Sequence, residues 1–391
     1  MWEQRLFETE SVKEQDRPLQ LRVYGGYRYD SNLFRLSDDA NVQSTLGTSD
    51  KSDNIYQLGV GGRVVLQESR QKFLIDGSVS HYWYQNFSSL DNTADSLRGE
   101  WDWRAGNQWS GTLGAGYRRY LDSFSNIQQD IKDMVSRQRA YGSANYRVAS
   151  YLKVTVDGEW LDVDHDAESR QTLSYRSGSE AVTVSWVTPS ENSLGVRFKR
   201  TDARYPNSTP GAAGSFGNEY TDNEYSLVAM WQATAASKFS GRLGYTKREF
   251  DQASQRDFRG STWRFAYDWE PTDKTALQLA VWRELYGFED VSGGYLRATG
   301  VGFFPAWSVT PKLVLQAKAQ YQQLDYFGDA LLVANTGQRK DQERLYQLAA
   351  VWTPLRLTKF IFAVETGNRN SNQSLGDYDY RSVGVSAIRT F

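Results

Sequence analysis

The chain has 391 residues, no cysteine and a formal charge of −2 from 45 basic and 47 acidic side chains. That balance predicts no nucleic-acid partner, and the absence of thiols excludes a disulfide framework or a Cys-ligated metal centre. No run approaches the ~18 apolar residues of a membrane-spanning helix. Yet aromatic residues make up 14% of a chain whose mean hydropathy is −0.64. Tyr, Trp and Phe alternate with Arg, Asp, Gln and Ser, which demands one wet and one apolar face on each strand. A transmembrane barrel, with a polar lumen and a lipid-facing wall, supplies both.

At the N-terminus, Met1 is followed by Trp2, Glu3, Gln4 and Arg5, with no apolar stretch of an export signal. Residues 1–18 are therefore expected to be a short periplasmic segment of a mature chain carrying an added Met, and 19–391 the barrel. The first strand spans 19–30, with Leu21, Val23, Gly25, Tyr27 and Tyr29 on one face and Arg22, Tyr24, Gly26, Arg28 and Asp30 on the other. Strands follow near 54–67 and 72–86, then one around Leu97, Gly99, Trp101 and Trp103 against Arg98, Glu100, Asp102 and Arg104. Further strands lie near 110–121, 137–148, 152–162, 172–187, 193–200, 224–233, 238–249, 260–270, 275–286, 295–308, 312–323, 343–353, 358–368 and 379–391. Strand 343–353 is almost wholly apolar on both faces. An even total of 18 suits a single-chain bacterial barrel and puts both termini on one side.

The connections alternate between short turns, such as 106–108, 189–192 and 271–274, and longer loops, such as 31–53, 122–136 and 201–223. Trp103, Trp186, Trp231, Trp269, Trp307 and Trp352 sit beside short turns, where they would form a periplasmic aromatic girdle. Val383, Val385, Ala387 and Phe391 share a face of the last strand. A terminal aromatic there resembles the assembly signal of outer-membrane barrels, although Arg389 departs from its strictest form. The predicted fold is all-β, a transmembrane antiparallel up-and-down β-barrel of 18 strands with periplasmic termini, in contact with lipid and lipopolysaccharide of the cell outer membrane. A soluble β-helix, a propeller or a set of β-sandwiches explains neither the alternating loop lengths nor the terminal Phe.

Parity assigns the inner wall. Basic candidates include Arg22, Arg28, Arg63, Arg98, Arg104, Arg118, Arg137, Arg139, Arg242, Arg248 and Arg264. They outnumber the acidic ones, Asp76, Glu100, Asp102, Asp157, Glu159, Asp268 and Glu284. Such an excess favours an anionic or polyhydroxylated solute. Inward Tyr24, Tyr82, Tyr84, Tyr120, Tyr141 and Trp282 suit sugar rings. The plainer reading is that these charges brace and hydrate the wall as cross-strand pairs. Loops 31–53 and 201–223 are long enough to fold inward and narrow the pore, and Asp30, Asn32 and Arg35 are positioned to order the first of them.

Only two histidines are present. His81 has lipid-facing parity beside Trp83, and neither histidine has a serine at a diagnostic spacing, so no enzyme and no cofactor is expected. The run Asp162-Val163-Asp164-His165-Asp166 reads as an acidic surface loop, with a divalent-cation site as the alternative. No metal centre is assigned.

The first-strand segment VYGGYRYDSNLFRL (Val23–Leu36) and the strand–turn units AWSVTPKLVLQAKAQY and YDWEPTDKTALQLAV resemble the outer-membrane barrels of exopolysaccharide biosynthesis operons, the EpsL type. The resemblance covers roughly 19–391 and is most specific from Tyr27 to Arg35. It implies a secretion port for a polysaccharide, working with a periplasmic co-polymerase or export protein. On that view Arg22, Arg28, Arg98, Arg104, Arg242 and Arg264, with Tyr82 and Tyr84, line the polymer path. The runner-up is a diffusion porin for small anions or oligosaccharides, and a third reading is a structural or adhesion barrel with a closed lumen.

Overall fold

Apolar residues at every second position leave each strand with one face that water rejects, and a closed sheet gives all of these faces the same outside. The computed structural model describes residues 17–125, 127–207, 219–252, 254–287, 295–327 and 338–391. They form one antiparallel 18-stranded sheet in which each strand pairs with its sequence neighbours, and the last closes on the first. The strands are β1 (Leu19–Asp30), β2 (Asp53–Glu68), β3 (Gln71–Tyr84), β4 (Asn92–Ala105), β5 (Trp109–Leu121), β6 (Met134–Ala149), β7 (Leu152–His165), β8 (Tyr175–Val187) and β9 (Ser193–Arg204). They continue as β10 (Tyr220–Thr234), β11 (Ser237–Phe250), β12 (Phe258–Thr272), β13 (Thr275–Gly287), β14 (Tyr295–Thr310), β15 (Leu313–Phe327), β16 (Lys340–Leu355), β17 (Thr358–Ser371) and β18 (Tyr378–Thr390). A short helix, α1 (Val42–Leu46), lies in the first long loop.

Closure runs from Arg22 opposite Thr390 to Asp30 opposite Ser382. The seam is finished by Phe391, whose N–H donates to the Leu21 carbonyl at 2.8 Å. This removes the free sheet edge that lipid would leave unsatisfied.

The outer wall is apolar and exposed: Leu21, Val60, Leu97 and Val196 are each more than half accessible. Trp186, Trp231, Trp269, Trp307 and Trp352 face outward at the short-turn end. His81 is exposed on the same outer face, bonded to Thr93 through Nδ1 at 2.9 Å and packed against Trp83. On β16, whose parity was ambiguous, Leu345, Gln347, Ala349 and Val351 share the inner face with Lys318 and Glu365, and Tyr346, Leu348 and Trp352 face out.

Several strands run past their expected ends. β9 reaches Arg204 rather than 200, β10 begins at Tyr220 rather than 224, β4 begins at Asn92 within the expected loop, and β16 begins at Lys340. The cause is common to all. Apolar alternation stops at the edge of the lipid-facing band, but the backbone ladder continues with polar outward residues such as Arg200, Asp202, Thr221 and Asn223.

At the long-loop end the first loop folds over the inner rim. Leu33, Phe34 and Leu36 are buried with inward-facing Ile55 and Tyr84 and with Phe87, Leu90 and Phe124 from two other loops. Arg35 takes a left-handed backbone (φ 56°) and forks onto Asp30 at 2.8 and 2.9 Å. Asn32 exchanges hydrogen bonds with the Leu36 backbone and donates to the Asp379 carbonyl at 2.9 Å. The loop is thereby tied to β18. The second loop expected to fold inward lies largely outside the described residues, as does most of the 1–18 segment.

One seam is incomplete. Pairing between β12 and β13 ends at Trp263 opposite Arg283, leaving Phe258–Thr262 and Glu284–Gly287 without a ladder partner across it. At the other seams the ladders run to within a few residues of the strand ends.

Candidate functional site

Register decides which side chains enter the lumen, since directly opposed residues share a face. It places Arg22, Arg28, Arg98, Arg104, Arg242 and Arg264 inside, together with Tyr82 and Tyr84. They fall into two groups.

The first group is held by carboxylates. Arg22 bonds Asp76 at 2.7 Å. Arg98 bonds Glu100 at 2.5 Å, and Glu100 also accepts from the Tyr141 hydroxyl. Across the barrel Arg242 contacts both Glu224 and Glu284, the latter at 2.7 Å, and Arg264 shares Glu284 through Nε at 3.1 Å. Arg139 pairs with Glu159, and Arg248 forks onto Asp222 at 2.7 Å. These networks brace neighbouring strands, as the plainer sequence reading held.

The second group is not neutralised. Arg28, Arg118 and Arg137 are exposed on the inner face and have no carboxylate partner among the described residues. Arg104 is likewise exposed and unpaired, near the short-turn end. Arg28 and Arg118 border a recess of about 720 Å³ in the upper half of the lumen. Tyr24, Tyr82, Tyr84, Tyr120, Gln57, Ser78, Ser80, Ser96 and Asn92 are among the residues that line it. Hydrogen bonds fix the aromatic side: the Tyr24 hydroxyl meets Ser80 Oγ at 2.8 Å, and the Gln57 amide donates to the Tyr82 hydroxyl at 2.8 Å. Ile55 and Tyr84 belong both to this recess and to the apolar cluster under the first loop, so that loop roofs the recess.

Sequence reading found the aromatic wall and Arg28 but treated all lumenal arginines alike. It also undercounted acids. Asp222, Glu224, Asp341, Glu343 and Glu365 face inward on strand ends and on β16–β17, where the apolar alternation is weak. The basic excess is therefore smaller than expected and concentrated where guanidiniums lack partners.

The His165 run does not present an open metal site. His165, Asp122 and Asp133 bring their ligand atoms within 4.8 Å of one another. The place of a cation is taken by the Arg170 guanidinium, which donates to Asp133 at 2.8 Å and Asp122 at 3.0 Å. His165 Nδ1 lies 2.7 Å from Asp133, which is fully buried. Burial disfavours both charged carboxylates. It pushes Asp122 above its ordinary range, whereas the His165 hydrogen bond, the Ala167 N–H and Arg170 hold Asp133 below it.

A family model described as "Putative beta-barrel porin 2" matches residues 232–390. Solved structures share the fold along nearly the whole chain. OccK9 (OpdG) of Pseudomonas aeruginosa aligns with a TM-score of 0.53 at 10% identity, covering 96% of this chain and 99% of its own. OccK2 (OpdF) of Pseudomonas aeruginosa, solved in complex with glucuronate, gives 0.52 at 11% identity with 96% and 99% coverage. A BenF-like porin from Pseudomonas fluorescens Pf-5 gives 0.52 at 8% identity with 96% and 99% coverage. No curated relative matches the sequence.

The chain has the fold of the outer-membrane porins, a closed antiparallel barrel of 18 strands. Its fold fits the expectation that it is not an enzyme. The same findings overturn the exopolysaccharide resemblance. The structures that match from end to end include a BenF-like porin and a barrel solved with glucuronate, and none is a polysaccharide exporter by its description, so the polysaccharide substrate, the secretion role and the co-polymerase partner are withdrawn. The physical source of the error is clear. A basic rail for a sliding polymer needs free guanidiniums along the pore, and Arg22, Arg98, Arg242 and Arg264 are each held by a carboxylate.

Proposed function

We propose that the barrel is a diffusion pore for small anionic solutes, with carboxylated sugars the best-fitting class. The observation that carries this reading is the lumenal recess, where Arg28 and Arg118 stand without carboxylate partners among the described residues, beside four tyrosines and a row of hydroxyls. A guanidinium offers a planar fork to a carboxylate, and tyrosine faces with hydroxyl neighbours accept the C–H face and edges of a sugar ring. The site lies open to the lumen, as a diffusion pathway requires. The bound glucuronate of OccK2, a barrel of the same fold, lends support from a different sequence. In this reading the long loops face the cell exterior, the termini lie in the periplasm, and residues 1–18 form a short periplasmic segment ahead of the barrel at 19–391.

The test is electrical. In planar bilayers under a salt gradient, the wild-type reversal potential should show anion preference, and glucuronate should permeate faster than glucose. Arg28→Gln/Arg118→Gln should lower both, while Arg104→Gln, outside the recess, should shift conductance without altering the uronate preference. A barrel that conducts no ions, or a double variant with unchanged selectivity, would sink the proposal.

A further inference from the structure

The lumen holds a second recess at the opposite end from the first. It lies inside the mouth formed by the short turns, against β12–β17, and has a volume of about 730 Å³. Its floor is made of Ala276, Ala306, Val314 and Val351. Register sets all four on the inner face, Ala276 opposite Ala306 and Val314 opposite Val351. Small apolar side chains leave a hollow here that water fills poorly. A mostly apolar hollow of ~300–1,000 Å³ with a few placed polar groups is the usual form of a small-molecule site.

The polar groups come from the turns. Lys274, Lys312 and Arg356 reach the recess from three successive short turns, and Lys359 from the inner face at the base of β17. Hydrogen bonds hold these turns together. The Lys274 carbonyl accepts from the Ser308 N–H and the Lys312 carbonyl from the Thr353 N–H, each at 2.7 Å. Lys312 Nζ donates to the Pro354 carbonyl at 2.9 Å. Lys274 and Arg356 have no carboxylate partner among the described residues. Glu270 and Asp273 also line the recess, so its charged lining is four cations to two carboxylates. Cations elsewhere at this end are engaged: Arg70 donates to the Gly106 carbonyl at 2.6 Å, and Arg147 pairs with Glu191 at 2.8 Å.

The two recesses are too far apart for one small solute to span. Arg118 of the first stands nine positions above Trp109, at the base of β5. At ~3.4 Å per residue and a tilt of ~40°, that is roughly 25 Å above the short-turn mouth. We propose that the turn-end recess is a second solute site, for small carboxylates that carry an apolar body, and that anions cross the pore in two steps. The carboxylate would meet the lysines and Arg356, and the apolar body would cover the Ala276–Ala306 floor. Conduction needs sites strong enough to attract and weak or numerous enough to release, and two separated cationic recesses meet that need. This deepens the pore reading and rests on it for the site's place in the path.

Single channels in planar bilayers at low ionic strength, where exposed charges are least screened, read the site. Ser190→Cys, in a chain otherwise free of cysteine, shows with an impermeant thiol reagent which chamber the short turns face. Hexanoate added there should interrupt the current at about one-tenth the concentration of acetate. Lys274→Gln/Lys312→Gln/Arg356→Gln should raise its half-blocking concentration roughly tenfold. Ala276→Leu, which fills the floor, should raise it to that of acetate, and Arg70→Gln should leave it unchanged. A triple variant blocked as readily as the wild type, or no preference for hexanoate over acetate, overturns the site. So does an equal loss of glucuronate block from the opposite chamber, which would mean a general field rather than a local recess. Binding of isotope-labelled hexanoate in detergent reads the same variants without conduction. A wild-type barrel that does not bind it overturns the site, whereas one that binds it and passes no current counts against the pore reading alone.

Discussion

At the scale of single residues, the recess depends on where side chains are missing. Gly59 faces the lumen on β2, opposite Tyr24 of β1. A methyl group there would lie 2.4 Å from the Tyr24 ring and 2.7 Å from Ser80 Oγ. The glycine is thus what lets Tyr24 lie flat along the wall and reach Ser80. Gly59→Ala should force the ring off its hydroxyl partner and destabilise the barrel by about 1–3 kcal/mol, the usual range for overpacking. Denaturant unfolding in detergent measures this, and the double variant Gly59→Ala/Tyr24→Ala should recover much of the loss. Recovery of nothing would mean that the ring and the glycine are not coupled. Sequence parity put Tyr24 inside without difficulty, because alternation is a local property. It could not show that Arg22 is held by a carboxylate while Arg28 has none among the described residues. That difference depends on Asp76, a partner two strands away across an intervening glycine-rich strand.

At the scale of elements, the long loops are not loose ends. The β5–β6 loop is anchored by Asp133, and Gln128 from the same loop donates to the Arg35 carbonyl of the first loop at 2.6 Å. These contacts were not legible in advance, since they join residues separated in sequence by 32 to 93 positions through side chains with no periodic pattern. The ordering triad Asp30, Asn32 and Arg35 was legible because it is local. The Asp133 anchor has a pH dependence of defined sign. Its carboxyl is held below the ordinary range, so the stability it confers is fully present above the unfolded-state value of ~3.9. That stability is lost as the pH falls through the lower folded-state value. Limited proteolysis of the 122–133 and 166–174 loops should therefore stay slow at pH 5 and accelerate only in stronger acid. Asp133→Asn should remove the threshold and expose both loops already at neutral pH, since the buried Arg170 loses a partner at a cost of about 3 kcal/mol. Cleavage of the variant no faster than wild type at pH 7 would show that Asp122 alone secures Arg170.

At the scale of the whole molecule, strand number and meander topology were legible because a closed barrel repeats one simple rule at each strand. Function was less so. A charge count along the chain cannot reveal which charges cancel across the lumen, and an apolar β16 hid the inward Glu343 and its neighbours from that count. Closure makes a separate demand. β1 and β18 are the most distant strands in sequence, so their pairing carries the largest chain-entropy cost and comes after the rest of the sheet is aligned. The final rung is the reciprocal pair between Leu21 and Phe391, with N–H to carbonyl distances of 2.8 and 3.3 Å. Removing Phe391 leaves the nine rungs from Arg22 to Asp30 intact but exposes two backbone groups at the lipid boundary. The truncated chain should still close in detergent, less stable by about 1–3 kcal/mol, the cost of stranding a polar group. Its insertion in cells should fall much further, because the exposed terminal aromatic is also the feature that assembly would read. Measured together, unfolding midpoint and outer-membrane yield separate the two roles. Equal losses in both would assign Phe391 to the seam alone.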